Sequence, residues 1–310
     1  MNEPVIQVQD FRKVYGDASG DVVAVAGITF EVQRGEIFGL LGPNGAGKTS
    51  TLECLEGLRA PNGGRLRVLD VDPAREPRKL CDRIGVQLQT SALPDSIRVD
   101  EAMRLFCAYH HAAPRYDLLD RLGLAEKRSA QYHQLSTGQK RRLSLALAIA
   151  HNPPVVMLDE PTAGLDVASR VDLHALMREL QAAGTTIILS THDMAEAEEM
   201  ADRVSILLRG QIAATGTPRE LTAAGAGLTK VSVRTAGSSL AGPGAAFPAV
   251  ARQSQKDDYT IYFSTDVGPT VAAIIAHVAA QGDALIDLRV ERPSLEERFL
   301  EITNRGGVAQ

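Results

Sequence analysis

Eight residues constrain this chain more than any others. Gly42-Pro43-Asn44-Gly45-Ala46-Gly47-Lys48-Thr49 directly follows the apolar run Glu36–Leu41 and matches G-x-x-x-x-G-K-[ST] at every fixed position. The run reads as a short buried strand, and a helix is expected to start near Lys48. Gly42, Gly45 and Gly47 let the backbone wrap tightly, with Pro43, Asn44 and Ala46 between them, so that successive N–H groups converge on an anion. The positive end of the helix falls on the same spot. Lys48 is then placed to reach β- and γ-phosphates, the Thr49 hydroxyl to ligate Mg²⁺, and Ser50 to follow in the same turn. A strand in front and a helix behind argue against an ordinary glycine-rich turn.

The surroundings fit a layered α/β protein. Residues 1–224 alternate β-rich segments with long helical patterns. Thr222–Gly227 has the composition of a linker. Beyond it, 225–310 is expected to form a small α+β domain of ββαβα order. Its strands are Lys230–Thr235, Tyr259–Ser264 and Ile286–Val290, with a helix through Val267–Val278 and another opened by a Ser294/Glu297 capping box. The second helix should bury Leu295, Phe299 and Ile302, and 236–250 should be a small-residue loop. Of the 310 residues, 44% are apolar and 23% charged, a globular composition. The formal net charge of −5 argues against a dedicated nucleic-acid binder. Leu143–Ala150 and Val271–Ala280 are too short to span a bilayer, and no secretory leader opens the sequence. Cys54, Cys81 and Cys107 show no metal or disulfide spacing and are expected as reduced, buried thiols.

A second apolar run, Pro154–Leu158, ends in Asp159-Glu160. In a phosphate-loop fold the first carboxylate holds Mg²⁺, directly or through water, and the second accepts a proton from the attacking water. Alone, an apolar run followed by two carboxylates is a weak signal. It gains force from Leu135-Ser136-Thr137-Gly138-Gln139, which lies between the two strands. Here the chain resembles the ATP-binding subunit of ATP-binding-cassette (ABC) transporters, whose signature is L-S-G-G-Q. Tyr15 matches the aromatic that stacks on adenine. Gln89, in Ile84-Gly85-Val86-Gln87-Leu88-Gln89, matches the Q-loop glutamine, with Gln87 as a competing choice. Ala163-Gly164-Leu165-Asp166 resembles the D-loop, and His192 the switch histidine after the strand Thr185–Ser190.

The resemblance covers about residues 5–222 and implies an ABC cassette: a RecA-like core with a helical subdomain at about 90–152. It further implies ATP and Mg²⁺ as cofactors, with Thr49, Gln89 and Asp159 near the metal and Lys48, Gln89, Glu160 and His192 in catalysis. Two copies sandwich ATP, so that Ser136, Gly138 and Gln139 of one face the γ-phosphate held by the other, and Asp166 communicates across the interface. A neutral His192 would donate to the γ-phosphate through one nitrogen and accept through the other. A membrane-spanning permease is the implied partner, which puts the chain on the cytoplasmic face of the membrane. Thr90–Arg104, with Leu93, Pro94 and Ile97, would supply the docking surface, unless these residues serve core packing. Pro293–Thr303 is similar to the tail of drug-resistance-type exporter ATPases; the small domain either regulates the dimer or caps it passively. The rival reading is a soluble ABC ATPase acting on ribosomes or DNA. Thr137 replaces a signature glycine and would be strained if its φ were positive. Lys140-Arg141-Arg142 reads as a solvated helix face, and His110 and His111 as a helix end or loop.

Overall fold

The computed structural model describes residues 3–17, 20–89, 93–223, 228–237, 239–240 and 246–306. It divides into two compact units, Met1–Pro218 and Arg219–Gln310, ahead of the expected 224/225 junction. In the first unit, strands β1 (Pro4–Asp17) and β2 (Gly20–Gln33) form a long antiparallel pair. β3 (Ile37–Leu41) leads into helix α1 (Lys48–Leu55), and β4 (Gly63–Val68) returns to pair with β1. Then come α2 (Pro77–Cys81), β5 (Ile84–Gln87), α3 (Val99–Tyr109), α4 (Tyr116–Arg121) and α5 (Thr137–Ile149). β6 (Val155–Asp159), α6 (Val167–Ala182), β7 (Thr186–Thr191), α7 (Met194–Met200), β8 (Arg203–Leu208) and β9 (Gln211–Gly216) complete the unit, and α8 (Pro218–Ala223) straddles the division.

The central sheet runs β5-β6-β7-β3-β8-β9, parallel except for β9. Both of its faces are covered, which explains why β3 and β6 read as apolar runs and why every residue of β7 is buried although half of them are Thr or Ser. Alternate side chains feed two cores. Ile37, Val156, Leu158, Ile187 and Leu189 pack toward the helices between α3 and α6. Phe38, Leu40, Val155, Met157 and Ile188 pack toward β1, β2, β4 and α1. Because the strands are parallel, their carboxyl ends share one edge of the sheet. The order β5-β6-β7-β3 therefore sets Gln87, Asp159-Glu160, His192 and the loop after Leu41 along that edge, where α/β sheets bind ligands.

The second unit holds β10 (Thr229–Thr235), β11 (Val250–Lys256), β12 (Tyr259–Ser264), α9 (Val267–Ala280), β13 (Leu285–Glu291) and α10 (Leu295–Gly306). Its antiparallel sheet runs β11-β12-β10-β13. Ile274 and Val278 of α9 pack on Val231, Val233 and Tyr262. The Ser294 Oγ accepts the Glu297 N–H at 3.2 Å, the cap expected at the head of α10. Leu295 is buried, while Phe299 and Ile302 are half-buried. The expected ββαβα order is corrected to βββαβα. β11 (VARQSQK) has almost no buried side chain, so no alternation announces it; it exists through backbone pairing with β12. Much of the expected linker and small-residue loop (224–227, 238, 241–245) lies outside the described residues.

Two further expectations change. Cys54 and Cys107 are buried free thiols, but Cys81 is exposed. Thr137 is the first residue of α5 and takes helical backbone, so it carries no left-handed strain. Among the described residues no helix is long and apolar enough to cross a membrane.

Candidate functional site

The loop after β3 is built as its sequence demands. Gly47 has φ of 104°, and a side-chain carbon there would lie 2.5 Å from the Ala24 carbonyl oxygen, so only glycine fits. Ala46 is buried, while Pro43, Asn44 and Gly45 are exposed at the tip. Lys48 is 5% exposed and folds back over its own loop, its Nζ donating to the Gly42 carbonyl at 2.7 Å and the Pro43 carbonyl at 3.3 Å. Thr49 and Ser50 follow half-buried in the first turn of α1. The Tyr15 hydroxyl donates to Ser50 Oγ at 3.2 Å, and its ring lies near the Lys13 ammonium (5.0 Å) and the Arg59 guanidinium (5.4 Å).

Across the sheet edge, Asp159 and Glu160 are both buried. Ser190, at the end of β7, ties them together. Its Oγ donates to Asp159 Oδ1, while its carbonyl accepts the Glu160 N–H at 3.1 Å. Glu160 sits at φ of 50°, an uncommon conformation for a residue without glycine's freedom. That turn brings its carboxylate back into the site. One oxygen lies 3.4 Å from Lys48 Nζ and the other 2.7 Å from His192 Nδ1. His192 is otherwise open, with 58% of its side chain exposed. An ionised Glu160 can only accept, so Nδ1 must donate to it.

Gln89 lies exposed just past the end of β5, whereas Gln87 is 2% exposed and its side-chain carbonyl has no hydrogen-bond partner. Ser136 caps α5: its Oγ accepts the Gln139 N–H at 3.2 Å and its own N–H donates to Gln139 Oε1 at 2.9 Å. Ser136 is exposed and Gly138 half-exposed, so the start of α5 faces outward. Asp166 caps α6 through Ser169, whose N–H and Oγ hydrogen bonds hold its carboxyl below the usual carboxylate range. The structure thus gathers Lys48, Glu160 and His192 into one contact set with Asp159 beside it. It places Ser136, Gly138 and Gln139 on an outward helix start, away from any contact with that set.

The profile of the ABC transporter family matches residues 25–163. The daunorubicin resistance ATP-binding protein of Streptomyces coeruleorubidus is 34% identical over 311 residues, covering 98% of this chain and 97% of the other. The chain belongs to the ABC transporter ATP-binding proteins. The Nod factor export ATP-binding protein I of Ralstonia nicotianae is 33% identical over 97% of this chain and 94% of its own. A bacterial ABC transporter cassette solved as a dimer superposes with a TM-score of 0.62 at 25% identity, over 68% of this chain and 98% of that one. This ABC cassette is an ATPase: it binds and hydrolyses ATP.

Two residues that hold Glu160 in place, Ser190 and Arg141, carry little signal in the sequence alone. Ser190 was signalled only by its place at a strand end before His192. Arg141 lies in the basic run taken for a solvated face. That reading is corrected: Arg141 Nη1 donates to the Glu160 carbonyl at 2.6 Å, Arg142 Nη1 to the Leu122 carbonyl at 3.1 Å, and Lys140 lies 4.8 Å from the Tyr132 ring centroid. Spacing cannot reveal contacts made across the tertiary fold.

Glu56, one residue past α1, is a buried carboxyl that the sequence did not single out. It is 2% exposed and neither carboxylate oxygen has a partner. Burial first, then the charges of Asp159 and Glu53, push its carboxyl up to about 8 from an ordinary 4.5. Between those values the folded chain keeps a proton that the unfolded chain has released. This contribution to stability is therefore full below about pH 4.5 and is lost as pH rises through about 8. Glu56→Gln, neutral throughout, is expected to flatten the fall in Tm across that window and to raise Tm at pH 8 by a few degrees. An unchanged slope in a thermal-melt series would remove Glu56 as its source.

Proposed function

We propose that this ATPase powers a bacterial exporter of drugs, lipids or glycans, with ATP closed between two copies of the chain. The contact set of Glu160 with Lys48 on one side and His192 on the other supports the reading, because it joins an ammonium, a carboxylate and an imidazole at one sheet edge. Lys48 would leave its loop carbonyls for the β- and γ-phosphates. Glu160 would take the proton of the attacking water, and His192 would hold the γ-phosphate in place. Thr49, Asp159 and Gln89 offer the hard oxygen donors that suit Mg²⁺. Gly42 to Ser50 would cradle the phosphates and Tyr15 would stack on adenine. From the second copy, Ser136, Gly138 and Gln139 would close over the γ-phosphate while Asp166 senses that closure. The outward start of α5 and the dimeric cassette relative support this arrangement.

The transport partner would be a membrane-spanning permease, which would hold the chain at the cytoplasmic face of the membrane; no role with nucleic acid is proposed. Two adjoining cavities of about 290 and 490 Å³ support docking: they share Cys81, Val86, Phe106, Leu147 and Ala148. Their margins carry exposed Leu58, Leu88, Leu105 and Tyr109. Of the residues expected to dock, Leu93 and Ile97 pack partly buried against the helices, Leu93 also lining the smaller cavity, and Pro94 is exposed. Thr90–Ala92 lie outside the described residues. Relatives named for daunorubicin resistance and Nod factor export support outward transport, and neither is named for the ribosome or DNA.

Ser136→Arg tests the sandwich. The variant should fold, losing about 0.5–2 kcal/mol with its helix cap, and bind ATP with unchanged affinity. Its hydrolysis should fall by about 10²–10³-fold, as for loss of a donor to the transferring group. Full ATPase activity in that variant contradicts a site shared between copies.

A further inference from the structure

Glu160 holds an unfavourable backbone conformation. Its φ is 50°, and Pro161 follows it, which further restricts the residue in front. Something must hold this peptide in place. On its N–H side the answer is β7, where the Ser190 carbonyl accepts at 3.1 Å. On its carbonyl side two donors converge: the Ala163 N–H at 3.2 Å and, closer, Arg141 Nη1 at 2.6 Å. The guanidinium hydrogen bond is charge-assisted and half-buried, so it is the stronger of the two. Arg141 lies one and a half turns along α5 from its cap, Ser136, and the next residue, Arg142, anchors the same helix to the Leu122 carbonyl at 3.1 Å.

We propose that Arg141 is a positioning residue for hydrolysis: its grip on the Glu160 carbonyl maintains the left-handed turn that aims the carboxylate at Lys48 and His192. The base is thereby set by the same helix that Ser136 caps. A displacement of α5 that loosens this grip lets the peptide relax toward extended backbone and swings the carboxylate out of the site. Arg141 touches neither nucleotide phosphate nor water in this role; it acts through Glu160.

The inference rests on Glu160 as the base, and the test separates the two. Arg141→Met, Arg141→Lys and Glu160→Gln are compared with the parent chain, reading kcat, KM and the affinity for a fluorescent ATP analogue. Arg141→Met should lower kcat by roughly 10–100-fold, the effect of losing one hydrogen bond from a charged donor. Nucleotide affinity should stay within about threefold, because the phosphate loop is untouched. Arg141→Lys keeps a cationic donor without the planar fork and should regain about fivefold or more of the lost rate. Should Arg141→Met fail to fold, Arg141→Gln, too short to reach the carbonyl, takes its place with the same expected readings. A methionine or glutamine variant with kcat within about twofold of the parent overturns the proposal. So does a loss shared equally by kcat and nucleotide affinity without rescue by lysine, which marks a merely structural residue. If Glu160→Gln hydrolyses ATP normally, the base assignment itself is wrong. If Glu160→Gln is inactive and Arg141→Met is normal, only the clamp is lost.

Discussion

Glu160→Gln is expected to lower ATP turnover by about 10²–10⁴-fold, the usual contribution of a well-placed base, while ATP stays bound. The amide fills the same volume and can still accept from His192 Nδ1, now 2.7 Å from the carboxylate. What it cannot do is take a proton. The Glu160 N–H to Ser190 bond, the Arg141 bond and the turn at φ 50° all belong to the backbone, so the substitution leaves them intact. The buried pair with Lys48 loses one charge, but Lys48 keeps the Gly42 and Pro43 carbonyls as acceptors. If the γ-phosphate binds where proposed, removing a negative charge from beside it also relieves repulsion, so the variant should retain ATP and accumulate as an ATP-dependent dimer. Light scattering with and without MgATP reads the dimer, and phosphate release reads the turnover. Hydrolysis at the parent rate would show that the proton goes elsewhere.

Lys48→Ala acts on the other half of the pair and should weaken MgATP binding by roughly 10–100-fold, the value of a charge-assisted hydrogen bond. Lys48 is the cation proposed to bind the phosphates, and its two carbonyl bonds fold it over its own loop. Its removal also leaves the buried Glu160 carboxylate without a cation on one side. Breaking a buried pair in this way costs up to about 3–5 kcal/mol, lessened here because His192 still faces the other oxygen. The melting temperature should therefore drop along with the affinity. Calorimetric titration with MgATP checks the first effect and thermal denaturation the second. An unchanged titration would remove the phosphate-loop assignment.

How much was legible in advance follows from burial. β3 and β6 are covered on both faces, so each is an apolar run that a sequence displays openly, and the polar residues after them stand out. The phosphate loop and Asp159-Glu160 could be picked out by residue type and spacing, whereas Tyr15, Ser136, Asp166 and His192 stood out only through resemblance to the family. The polar edge strand β11 could not, because backbone pairing leaves no mark on side-chain pattern. Resemblance favoured Gln89 over Gln87 on the same strand end; only the fold shows Gln87 buried and Gln89 exposed.

The one-dimensional chain determined that a phosphate loop joins a strand to a helix, that two carboxylates end another strand, and that a signature segment opens a third element. These are local matters of residue type and spacing, governed by backbone geometry within a few residues. Tertiary structure alone decided that Glu160 turns back to meet both Lys48 and His192, that Ser190 binds both carboxylate residues, and that Arg141 reaches across from α5 to the Glu160 carbonyl. Tertiary packing brings these groups together from 19 residues apart, as for Arg141 and Glu160, to more than a hundred, as for Lys48 and Glu160, and such contacts leave no periodicity in the sequence that forms them.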